Sequence, residues 1–123
     1  MRWEDHRFAA STALLAASLL LAGCVQAPKP LYYWGNYQAQ VYDHFRPDSK
    51  GPLEQLRLLD EQAQKAKSVG LPLPPGYYAH LGLVYLQLGR SDDAKRALET
   101  ERTLFPESAP YMDSLLKRFE AKT

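Results

Sequence analysis

The sequence predicts an all-α fold, about five helices in a short tetratricopeptide-like superhelical array. Three observations lead there. Apolar residues recur at three- and four-residue spacing through most of residues 37–120, clusters of Pro and Gly divide that stretch into helix-sized pieces, and no alternating run is long enough for a strand.

The first segment is of a different kind. Arg2 and Arg7 are offset by Glu4 and Asp5, after which Phe8 to Gly23 carries no charge. That run has the length of a signal-peptide core. It ends too abruptly, at Cys24 with Lys29 soon after, for the roughly 17–25 apolar residues of a membrane span. Leu21-Ala22-Gly23-Cys24 resembles the bacterial lipobox, which implies removal of residues 1–23 and attachment of lipid to Cys24. Membrane lipid, through the acylated cysteine, is then the first expected partner. Val25 in place of Asp resembles lipoproteins sent to the outer membrane, and the periplasmic face is the expected side.

Cys24 is the only cysteine, which excludes an internal disulfide and any cysteine-based metal site. Losing Arg2, Arg7, Glu4 and Asp5 with the signal leaves the net charge at +1. Charge of both signs is spread along the chain, so nothing favours nucleic acid.

Residues 24–31 read as a short tether, in which Pro28 and Pro30 favour extended backbone. A single domain over 32–123 follows. Tyr32-Tyr33-Trp34-Gly35-Asn36-Tyr37 is the densest aromatic cluster, and Gly35-Asn36 signals a turn with Asn36 as cap of a helix over about 37–44. Trp34, Tyr37, Val41, Tyr42 and Phe45 are expected on its apolar side. Residues 46–52 break the chain. The second helix, 53–68, carries a stripe of Leu53, Leu56, Leu59, Ala63 and Ala66. The linker Leu71 to Gly76 should pack on the domain. A third helix is expected over 77–88 and a fourth over 92–104, with Ser91 as N-cap and Asp92 and Asp93 at its positive end. The last, 109–120, places Tyr111, Met112, Leu115, Leu116 and Phe119 on one side.

Residues 75–108 resemble a tetratricopeptide repeat, a helix–turn–helix unit of about 34 residues. Tyr78, Leu81, Gly82, Tyr85, Ala94 and Pro106 stand at the pattern's spacing, and Leu98 replaces an aromatic. Gly82 and Ala94 are small so that two helices can approach, while Tyr78, Leu81, Tyr85 and Leu98 fill the groove between them. Glu101 departs from the pattern, standing where a small residue meets the next helix, and looser packing is expected there.

Three stretches carry a wider resemblance: C-x3-P-K-P-L-Y-Y-W-G-N-Y, L-P-P-G-Y-Y-A-H-L-G-L-V-Y and L-F-P-E-S-A-P-Y-M-D-S-L-L-K. Together they resemble the DUF4810 family of small proteobacterial lipoproteins. The resemblance implies an accessory in envelope assembly or export, beside a second small lipoprotein or a curli-secretion-like, pore-forming lipoprotein as partner. It implies no biochemical activity.

His44 and His80 are the histidines of the mature chain, and their spacing does not predict a metal or acid–base site. Glu99 and Glu101 are two apart and face different ways. No nucleophile elbow, phosphate loop or zinc-hydrolase motif occurs. The expected function is therefore non-enzymatic, with no cofactor and no metal: a lipid-anchored protein-binding scaffold. Tyr32, Tyr33, Trp34, Tyr37 and His80 are its candidate partner-binding residues. The aromatic segment has three possible employments, which are core filling, a partner contact and contact with the membrane interface. The alternative function is a binding module for a small ligand or cell-wall fragment, with Trp34, Tyr78 and His80 around a groove.

Overall fold

The computed structural model describes residues 27–121, except the side chain of Glu120. The expected signal segment and Cys24 lie outside the described residues. Five α-helices follow in order: α1 (Tyr37–His44), α2 (Pro52–Ser68), α3 (Tyr77–Gln87), α4 (Ser91–Leu104) and α5 (Ala109–Glu120), with a single 3-10 turn at Pro106–Ser108. No strand occurs among the described residues.

The breakers work as local chemistry requires. Pro52 occupies the first turn of α2, where a missing N–H costs nothing. Gly70 ends that helix at φ 68°, which lets Leu71 N–H reach back to the Ala66 carbonyl at 3.1 Å. The linker after it lies against the domain, since Pro74 is fully buried and Tyr33 N–H donates to the Pro72 carbonyl at 2.8 Å. Ser91 is not the cap of α4. The helix begins one residue earlier than expected, so Arg90 stands at the cap and its carbonyl accepts the Ala94 N–H at 3.0 Å. Asn36 does stand at the cap of α1, but its side-chain oxygen accepts from Gln40 Nε2 at 2.7 Å rather than from the backbone.

Two cores result. Tyr37, Leu59, Tyr77 and Val84 join α1, α2 and α3, while Leu98, Met112 and Leu116 join α4 and α5, with Ala79 of α3 packed against them. Gly82 sets the approach of α3 to α4. A Cβ there would stand 3.1 Å from Leu98 Cδ2 and 3.3 Å from the Ala94 carbonyl oxygen.

The faces of three helices differ from expectation. On α2 the buried positions are Gln55, Leu59, Gln62 and Ala66, and Leu53 is 72% exposed. On α1 the inward residues are Tyr37 and Gln40, while Tyr42 and Phe45 point outward. Polar matching is the physical reason. Gln40 Nε2 donates to Gln62 Oε1 at 3.1 Å, His44 Nδ1 pairs with Gln55 Oε1 at 2.6 Å, and Gln62 Nε2 donates to the Trp34 carbonyl at 3.3 Å. Buried amides are acceptable when they are hydrogen-bonded, and these pair across the α1–α2 contact, although Gln40 Oε1 is buried without a partner. On α5, Met112 and Leu116 are buried but Tyr111 is exposed.

Candidate functional site

The aromatic segment divides between packing and exposure. Tyr32 meets the Phe105 ring edge-on at 6.0 Å, and the Tyr33 ring lies against Gly35, whose φ is 46°. Tyr37 is interior, with its ring centroid 6.0 Å from Tyr77 and 5.9 Å from His80. Burial, and then the charge of Glu101, push its hydroxyl well above the usual tyrosine range. Trp34 differs from these: it is 43% exposed while its ring sits 6.4 Å from Tyr37.

Sequence reasoning missed two residues of this surface by assigning them to the apolar inner side of α1. Tyr42 is 69% and Phe45 73% exposed. With Tyr37, Gln38, Val41 and Arg46 they border a shallow groove of about 590 Å³ along the helix. The Arg46 guanidinium stands 5.9 Å from the centre of the Tyr42 ring, within cation–π range. The signal was available in the heptad arithmetic. Positions 37, 40, 41 and 44 make one face, and 38, 42 and 45 make another.

His80 is buried, and the fold brings His44 to it with ring centroids 4.8 Å apart, a meeting that spacing along the chain did not indicate. Neither ring nitrogen of His80 has a hydrogen-bond partner and neither is accessible. Burial, and secondarily the neighbouring His44, lower its pKa from the model-peptide 6.5 to about 4. A neutral imidazole sealed among aromatic rings packs well and is poorly placed to exchange protons with a substrate. A cleft of about 290 Å³ runs alongside, bordered by Asn36, Gln40, Asp43, Lys50, Gln55 and the edge of His80. Trp34 and Tyr78 do not border it. Among the described residues no group of three or more His, Cys, Asp or Glu is arranged to hold a metal.

Of the repeat-type residues, Gly82, Ala94 and Leu98 form the α3–α4 pairing, whereas Tyr78 and Leu81, expected in the same groove, pack on the other side of α3. Ala94 and Leu98 are fully buried on α4 against Gly82, while Tyr78 and Leu81 are half-buried against the first core. The Tyr85 ring carries the Arg90 guanidinium 4.6 Å from its centre, and Pro106 opens the 3-10 turn. Glu101 corrects the expectation of looseness. It is 1% exposed, and its carboxylate accepts the N–H groups of Gly76 at 2.6 Å and Tyr78 at 3.2 Å. An anion therefore sits at the positive end of α3, where the helix dipole favours it. Burial pushes the carboxyl above the usual glutamate range, against the opposing pull of the backbone N–H groups of Gly76, Ala79 and Tyr78.

The family model described as a domain of unknown function, DUF4810, matches residues 31–115. The chain belongs to the DUF4810 family. The matched span opens at Leu31, just before the aromatic segment, and closes at Leu115 within α5. The DUF4810 domain thus contains the outward face of α1, the His44–His80 contact and the Glu101 latch together. Comparison with curated proteins and with solved structures finds no match.

Proposed function

We propose that this DUF4810 protein is an outer-membrane lipoprotein, cleaved before Cys24 and acylated there, whose helical domain is a non-enzymatic protein-binding scaffold in an envelope assembly or export complex. The anchor reading is supported by Leu21-Ala22-Gly23-Cys24 at the end of an uncharged run. Among the described residues no helix is long and apolar enough to cross a membrane, so on this reading the domain is held by its lipid.

One observation carries the scaffold reading. The Tyr37 ring of α1 meets Tyr77 and His80 at the start of α3, a contact of the kind expected between the leading helices of neighbouring tetratricopeptide units. On that arrangement α1–α2 is a degenerate first unit, α3–α4 the clearest one and α5 the closing helix. Repeat surfaces of this type present an extended face to protein partners. The outer side of α3, with Leu86 37% exposed, belongs to that face.

A photo-crosslinking residue at Leu86 in the native lipidated protein, activated in intact envelopes, should capture the same envelope protein repeatedly. Capture of nothing specific from that position, or capture only of abundant bystanders, would sink the scaffold reading. Mass analysis of the purified protein tests the anchor separately, since acylated Cys24 must be the N-terminal residue.

A further inference from the structure

We propose that the outward face of α1, formed by Tyr42 and Phe45 with Trp34 just ahead of the helix and Arg46 just after it, lies on the lipid surface to which Cys24 is tethered. This rests on the anchor proposed above and adds an orientation to it.

α1 is aromatic outward as well as inward, since Tyr37 and Val41 enter the first core beside the amide of Gln40. Its contact with α2 is made through Gln40, His44, Gln55 and Gln62, whereas Trp34, Tyr42 and Phe45 stand out at 43%, 69% and 73% exposure. A helix bordering water normally keeps its outer side polar. Terminal helices of repeat arrays need a polar outer side to stay soluble, and this one has an apolar groove of about 590 Å³ instead.

The composition and the position of the face choose its occupant. Trp and Tyr are the residues that settle at a membrane–water boundary, where an apolar ring body and a polar tip are both satisfied. Exposed Lys29 and Lys50 flank the face along the chain and supply cations at headgroup level, while Arg46, over the Tyr42 ring, is paired with Asp48 at 2.6 Å. Ten residues separate Cys24 from Trp34, a reach of at most about 35 Å even when fully extended. Among the large exposed apolar residues, Leu31, Trp34, Tyr42, Phe45 and Leu53 all lie in the chain nearest that anchor. Tethering at so short a range raises the effective concentration of lipid at the face, so even a weak contact is populated.

Trp34 makes the test direct, because the second tryptophan, Trp3, lies in the segment removed with the signal. A phospholipid-maleimide is coupled to Cys24 of the chain starting there, on vesicles of phosphatidylethanolamine and phosphatidylglycerol with brominated acyl chains. Coupling at this sole cysteine keeps the test independent of natural acylation, so failure of the anchor reading and failure of the orientation are separate results. Trp34 emission should shift to the blue and be quenched, and both effects should disappear in Tyr42→Ser/Phe45→Ser at unchanged helicity. In the untethered Cys24→Ser chain, the same double change should reduce vesicle partitioning by about tenfold or more, from the apolar area withdrawn. Unaltered Trp34 emission on brominated vesicles overturns the orientation. So does protection of Trp34 that appears only when an envelope protein is added, which would make the face a protein-docking surface.

Discussion

Glu101 shows how one side chain can be costly and necessary together. A carboxylate with almost no contact with water is expensive to bury, and two backbone N–H groups at the start of α3 offset part of that cost. Glu101→Ala would leave both donors buried without a partner, at about 2–3 kcal/mol. For a domain of this size the expected fall in Tm is about 10 °C or more, measurable by calorimetry. Glu101→Gln, which keeps an acceptor oxygen, should lose less. Gly82 poses the opposite question. Alanine would gain about 1 kcal/mol in helix propensity. Its methyl group, however, would press on Leu98 and on the Ala94 carbonyl, and backbone cannot rotate aside. Overpacking of about 1–3 kcal/mol should win. Gly82→Ala is thus expected to lower the urea midpoint, and a raised midpoint would show that α3 and α4 can separate cheaply.

Among the helices, α1 is the most conditional. Eight residues cannot sustain a helix alone in water, so its persistence depends on the amide contacts with α2 and on the ring contacts with α3. His80 lies in that second contact. Its folded pKa of about 4 is below the unfolded value of about 6.5. The neutral form is therefore favoured by folding, and its contribution is complete above about pH 6.5. It is lost progressively as pH falls toward 4, to a limit of about 3 kcal/mol. Hydrogen exchange should show α1 amides losing protection over that window before those of α3 and α4. His80→Leu should flatten the dependence, and an unchanged profile in that variant would place the titration elsewhere.

The helix limits were legible because Pro52, Gly70, Gly76, Gly89 and Pro106 punctuate the chain. The faces of α1 and α2 were not, because hydropathy assigns glutamine to water. Only the pairing of Gln40 with Gln62, 22 positions apart, makes these amides interior. Glu101 was recognised as anomalous, yet its partners lie 25 and 23 residues earlier, beyond any local pattern.

At the scale of the whole molecule, location and folding should be separable. Cys24 lies outside the described residues, and residues 27–31 are exposed. If Cys24 carries the proposed lipid, Cys24→Ser should leave the Tm unchanged while lowering recovery of the proposed crosslinked partner, through loss of local concentration at the membrane. A drop in Tm would mean that the anchor segment packs on the domain. The candidate site was legible at this scale only in part. The aromatic segment was found from its density, but its division between core and surface depends on where α2 and α3 stand.

The α3–α4 hairpin is fastened at both extremities. At its bend, Arg90 N–H returns to the Tyr85 carbonyl at 2.9 Å, and at its free end Glu101 clasps Gly76 and Tyr78. Both fastenings are made within the hairpin itself. Neither α1 nor α5 supplies either fastening, so fraying of one of them would leave both hydrogen-bonded closures in place.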